Sequence, residues 1–398
     1  MSEPVELFLR ARHEPDAFAA VEARAAAGEI DWDAVLERTE AERLGPLLHN
    51  TFSEARFIPA GVAAAWQRAH RTTAAFYLVW SSSLMRICTA LTQANIPLII
   101  LKGAALAETV YDKPSLRPLA DVDVLVRPDQ VRATVDVLQA NGYLPPRAAE
   151  SRDYSLEFEN ELALSPRTTI GVAIDIHWSL LDSPYYQRAL SHDWFWESSV
   201  PLARYSGART LAPEAQLLHL SAHLMVHHHG NGVLWLYDVV ELLRRFRGRF
   251  DWDRALEEAG RCELVESLRR TLDRGVRELG ANVDAARLVQ LSRLQASAAE
   301  RGVFERPTIG IETAEHFWND VLTLPDWRSR LAYIFHRVAP SPAFMQQRYR
   351  LRSLAWLPLY YPYRWALGAW RLGGILISRL ARQGQRDTND ALSKREPS

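Results

Sequence analysis

The chain has 398 residues, nearly half of them apolar, and 47 basic against 48 acidic side chains for a formal net charge of −1. Such a length supports two or three domains with a sizeable core, and the average charge content excludes a low-complexity or fibrous chain. Without a global basic excess, a protein living by non-specific nucleic-acid binding is excluded, and two cysteines far apart, Cys88 and Cys262, make neither a disulfide framework nor a zinc site.

The first residues, MSEPVELFLRARHEPD, carry neither a basic nor an apolar leader segment, so the expected location is cytoplasmic. Residues Val5–Ala94 read as helical throughout. Asp31 is placed to cap a helix opening at Trp32, and a long pattern from Pro59 to Ala94 repeats Trp66, Phe76, Leu78, Leu84, Ile87 and Leu91 on its expected inner face. Asn95-Ile96-Pro97 ends that helix and launches a β-branched run, Leu98–Leu101. A Lys102-Gly103 step follows, then a short helical pattern over Ala104–Tyr111 and a loop stiffened by Pro114 and Pro118 around Arg117. Glycine between a strand and a helix lets a phosphate approach the backbone N–H groups of the helix start. A second apolar run, Ala120–Val126, carries Asp121 and Asp123. Residues two apart on a strand share a face, so these carboxylates repel unless a cation or proton lies between them. Oxygen-only ligands of that kind favour Mg²⁺.

A strand, a glycine-led turn, a helix and a strand bearing Asp-x-Asp resemble the DNA polymerase β-like nucleotidyltransferase superfamily. More narrowly, LKGAAL and VYDKPSLRPLADVDVLV are similar to a bacterial branch of nucleotidyltransferase family proteins, some of which accompany lasso-peptide biosynthesis genes. The turn departs from the superfamily's Gly-Ser or Gly-Gly in reading Gly103-Ala104, which removes a hydroxyl contact and leaves the backbone donors. The resemblance implies a small mixed sheet and a third carboxylate on a later strand. It also implies Mg²⁺-dependent transfer of a nucleoside monophosphate from a triphosphate, ATP foremost, with release of pyrophosphate. Two Mg²⁺ ions would be held by Asp121, Asp123 and the third carboxylate.

Further along, Gln130–Asn141 is a helix closed by Gly142, and Tyr143–Leu144 returns toward the sheet. Tyr154–Leu164 alternates as a strand, Ser165–Thr168 turns, and Ile170–Trp178 is the next strand. Asp175 is the acid of that strand and becomes the expected third carboxylate, either a metal ligand or the general base. His177 shares its face and is expected to orient Asp175, to act as a base or to touch the nucleotide.

From Pro213 the chain reads helical again. Gln216–His229 carries His219, His223 and His227 at i, i+4 and i+8, and Leu234–Phe246 carries Asp238 after Trp235. Three histidines across two turns of one straight helix cannot all reach one ion, so the stripe is expected to line a cleft or pack between helices, with nucleotide or substrate contact ahead of a dedicated metal site. The nucleotide-contact set is therefore Lys102, Gly103, Ala104, Arg117, His177, His223 and Asp238, the last two because the bacterial branch has a comparable His helix followed by Trp-x-x-Asp. Helices are expected over Trp252–Ala259, Leu264–Leu279, Val283–Ala299, Thr313–Leu322 and Trp327–His336, with a loop at Arg301–Gly310. A segment rich in Trp, Tyr and Arg follows over Arg348–Arg382. Its arginines interrupt it too often for a membrane span. Docking of a final helix onto the body is the favoured reading there, with peripheral membrane contact as the alternative.

The expected architecture is α+β: a helical region over 1–94, a nucleotidyltransferase core over 95–205, a helical domain over 206–382 and a disordered tail over 383–398. The acceptor expected is a small molecule or a peptide, with nucleic acid disfavoured by the near-neutral charge. The rival reading is a non-catalytic nucleotide- or partner-binding protein that keeps the fold.

Overall fold

A computed structural model describes residues 5–144, 160–168, 171–305, 321, 324, 326–340, 342–351 and 353–368. They fall into two compact units, one within 1–308 and the other from 309 onward. The first unit holds a seven-stranded mixed sheet. Its strands are β1 (Leu98–Ile100), β2 (Asp121–Leu125), β3 (Tyr143–Leu144), β4 (Glu161–Pro166), β5 (Ala173–His177), β6 (Val200–Pro201) and β7 (Ala208–Thr210), in the order β3-β4-β5-β2-β1-β7-β6. β2 runs antiparallel to β1 and parallel to β5, while β7 joins the far side of β1 in parallel. The fold is thus α+β, with helices flanking a mixed sheet.

Asp31 does cap the helix Trp32–Ala41, accepting from the N–H groups of Asp33 and Ala34. The long helix runs over Ala60–Gln93 and ends at Asn95, whose backbone is left-handed at φ 58°. By length and composition alone this is the one candidate membrane span among the described residues, yet Trp66, Trp80, Leu84, Ile87 and Leu91 are all buried in the core; Leu78, expected on the inner face, is 70% exposed because it lies two residues from Trp80, on the other side of the helix. Each such large apolar side chain contributes roughly 1.5–3 kcal/mol on burial. One hydrophobic cluster runs from Phe8 and Trp66 through Leu106 to Leu217, Leu236 and Leu268, so the flanking helices and one sheet face share a core.

Several elements differ from their sequence reading. The expected Tyr154–Leu164 strand is described only from residue 160, and β4 extends through Ser165 and Pro166, where a turn was expected. Val283–Ala299 is not one helix. It divides into Ala285–Arg293 and Ala298–Glu305, because Leu294 is extended and Ser297 restarts the helix by accepting from the Glu300 N–H. That second piece also replaces the first half of the loop expected from Arg301. Strands β6 and β7 were not foreseen: two- and three-residue strands within VPLARYSGART show no period. The expected Thr313–Leu322 helix lies almost wholly outside the described residues, and the 383–398 tail entirely so.

Candidate active site

Register assembles the acids. Asp123 of β2 stands directly opposite Asp175 of the parallel strand β5, and Asp121 lies two residues before Asp123 on the same face. The backbone is fixed on both sides: the Trp80 indole N–H donates to the Asp121 carbonyl at 3.1 Å, and the Leu101 N–H donates to the Asp123 carbonyl at 3.0 Å. The second bond ends the β1 ladder and delivers Lys102 to the same place.

Lys102 Nζ donates to Asp123 Oδ1 at 2.7 Å, and His177 Nε2 meets that same oxygen at 2.8 Å. Burial alone would raise the Asp123 pKa, but Lys102 and His177 together hold it well below the usual carboxylate range. His177 therefore orients Asp123 rather than Asp175, because its diagonal cross-strand neighbour is the nearer partner. On its other side, His177 Nδ1 lies 3.2 Å from Glu161 of β4. Asp175 and Asp121 have no such cation. Burial and the charges of Asp123 and Asp121 push Asp175 up to about 6, and burial with Asp123 raises Asp121.

Lys102 opens the helix Lys102–Thr109 in a left-handed backbone conformation, φ 49°. For a residue with a side chain this costs about 1–3 kcal/mol, and such strain gathers at functional sites. The sequence reading gave Gly103 the task of letting a phosphate approach the backbone N–H groups. The structure puts the left-handed backbone at Lys102, while Gly103 sits inside the first helical turn, where a Cβ would lie 3.3 Å from the Arg117 guanidinium and 3.2 Å from Leu119. Glycine is there for space. The N–H groups of Lys102, Gly103 and Ala104 open the helix, where a donor has no intrahelical acceptor.

Arg117 and Asp238 were expected each to touch nucleotide; the structure joins them to one another. Arg117 Nε donates to Asp238 Oδ1 at 2.8 Å and its Nη2 to Oδ2 at 2.6 Å, while the Tyr111 hydroxyl donates to Oδ1 at 2.6 Å. All three side chains are buried. The pair ties the loop ahead of β2 to the helix Val233–Arg245. Beside it lies Arg43, which the sequence reading missed. It is exposed, left-handed at φ 56°, within electrostatic reach of Asp121, and has no ion-pair partner among the described residues. Nothing in its local sequence, Glu42-Arg43-Leu44, signals that position.

The histidine stripe does not lie on one straight helix. Pro213–Ala222 is α-helical, but His223–His227 widens into a π turn, a feature frequent at functional sites. The wider turn gathers His223, His227 and His228. His223 and His228 meet through their Nε2 atoms at 3.1 Å, His227 stacks on His223, and His228 stacks on Trp235 with ring centroids 3.5 Å apart. His219 is buried deeper. Burial and the Lys102 charge lower its pKa to about 3, and burial with His227 lowers His228 to about 4. His223 is likewise held far below its ordinary value by burial and Lys102. Neutral rings within range of Lys102 thus border the carboxylate site. His227 differs: the Asp182 carboxylate raises it.

Three oxygen-donor carboxylates, two of them under mutual repulsion, are the chemistry a hard divalent cation relieves. Among the described residues no three His, Cys, Asp or Glu side chains converge as a ready metal cage. Register assembles the donors without closing a cage. A mixed sheet with Asp-x-Asp on one strand, a facing Asp on its parallel neighbour and a helix start beside them is the frame of a nucleotidyltransferase. A family model described as uncharacterised nucleotidyltransferase matches residues 28–274, and the chain belongs to that family. No curated protein matches the chain.

Proposed function

We propose that the protein transfers a nucleoside monophosphate from an NTP, ATP foremost, to a hydroxyl or phosphate of a small molecule or peptide, releasing pyrophosphate. The observation that carries this reading is the register of β2 on β5, which sets Asp121, Asp123 and Asp175 on one face beside Lys102. Asp121, Asp123 and Asp175 are the residues that would hold Mg²⁺, which supplies charge neutralisation for the triphosphate and acidifies the acceptor. Lys102 and Arg43 neutralise phosphate oxygens, and the N–H groups at Lys102–Ala104 receive the β- and γ-phosphates. The acceptor oxygen attacks the α-phosphorus as the bond to pyrophosphate breaks. Its proton passes to solvent or, in the alternative in which Asp175 stays off the metal, to the Asp175 carboxylate as general base. With their Nε2 atoms paired, neutral His223 and His228 present one Nδ1 acceptor and one Nδ1–H donor to the base or the acceptor. Arg117 and Asp238 act at one remove by fixing the loop that leads into β2.

Calorimetry with ATP, GTP, CTP and UTP, with and without Mg²⁺, tests this. Mg²⁺-dependent binding is expected, weakened at least about a hundredfold in Asp121→Asn/Asp123→Asn, with α-labelled but not γ-labelled phosphate passing to acceptor. A second reading, a nucleotide- or partner-binding protein without turnover, is favoured by one observation: Lys102 already neutralises Asp123. Mg²⁺-independent binding that survives the double substitution would select it.

A further inference from the structure

Residues 327–386 contain 11 arginines and no lysine, aspartate or glutamate. Setting those 11 aside from the chain's 47 basic residues leaves 36 against 48 acidic, so the remainder carries about −12. The chain's near-neutral total therefore hides a strongly basic stretch attached to an acidic one. Asp326, the last acid before it, serves as the cap of the helix Trp327–Val338, accepting from the N–H groups of Arg328 and Ser329.

That helix turns its apolar ridge outward. Trp327, Leu331, Phe335 and Val338 recur at i, i+4, i+8 and i+11, and all are exposed, Phe335 by 71% and Trp327 by 65%, while Tyr333 on the opposite side is buried. Residues 353–368 fold back on its end: the Trp365 indole N–H donates to the Val338 carbonyl at 2.8 Å and the Tyr361 hydroxyl to Pro340 at 2.6 Å. This return adds Trp356 and Leu359 to the exposed apolar set, Leu359 by 62%.

We propose that the helix Trp327–Val338 and its return over residues 353–368 dock the protein on an anionic lipid bilayer, with the ridge Trp327, Leu331, Phe335 and Val338 toward the acyl chains. Tryptophan and tyrosine favour the bilayer interface, and an arginine-rich stretch whose sequence holds no acid is drawn to acidic headgroups. Leucine and valine on the ridge gain nothing from stacking on nucleic-acid bases, which sets the bilayer ahead of RNA or DNA. A second copy of the same segment would bring like charges together. The inference is independent of the nucleotide site.

Flotation of the full chain with phosphatidylcholine vesicles, with and without roughly one-third phosphatidylglycerol, tests it. Partitioning should be at least about tenfold higher on the anionic vesicles and should fall as salt is raised. Trp327→Ala/Phe335→Ala/Leu359→Ala, at exposed positions and with an unchanged thermal melt, should lose about tenfold. Equal binding to both vesicle types, unaltered binding by the triple variant, or tighter binding to a single-stranded oligonucleotide than to anionic vesicles would each overturn the proposal.

Discussion

Asp175 shows what a single side chain stores at this site. Its carboxyl is raised to about 6 by burial and by Asp123 and Asp121, whereas an unfolded chain would hold it near the ordinary ~4. Between those values the folded state keeps a proton the unfolded state has lost, so its contribution to stability falls as pH rises from about 4 to about 6. In a chelator at pH 8, Asp175→Asn should therefore be more stable than the wild type, on the order of 1–2 kcal/mol after discounting for its partial exposure. The gain should vanish near pH 4. Thermal melts at the two pH values check this, and the same variant should lose nucleotidyl transfer. Gly103 makes the opposite point, since its worth is the space it leaves. Gly103→Val should push into Arg117 and Leu119 and destabilise by about 1–3 kcal/mol, read by urea denaturation.

At the scale of elements, the site depends on a helix that contributes no ligand. The helix Val233–Arg245 carries Asp238, and Asp238 holds Arg117 in the loop ahead of β2. Removing one partner of a buried ion pair strands the other charge. Asp238→Asn should thus cost about 3–5 kcal/mol, while replacing both, Arg117→Met/Asp238→Leu, should cost less. Equilibrium unfolding of the two variants separates a structural tie from a nucleotide contact, because a nucleotide contact would leave stability unmoved. The π turn at His223–His227 belongs to this scale too. A straight helix would swing His228, at i+5, away from His223; the wider turn brings it back beside His223 and His227.

Across the whole molecule, much of the frame was legible in the chain. The Asp31 cap, the long apolar helix, the two runs around Lys102-Gly103 and the lone acid of IGVAIDIHW are local signals, and each marks an element that forms. Two carboxylates at i and i+2 on a β-branched run must share a strand face, whatever the rest of the chain does. The sequence by itself therefore determined the strands β1, β2 and β5, their acids and the family to which the pattern belongs. Tertiary structure alone decided which charges meet. His177 turned to Asp123, Arg117 turned to Asp238 across 121 residues, and the left-handed backbone fell on Lys102 rather than on the glycine beside it. Periodicity records which face of an element is apolar, whereas a buried ion pair is settled by which opposite charge packing brings within 3 Å, and that distance is written in no local stretch of sequence.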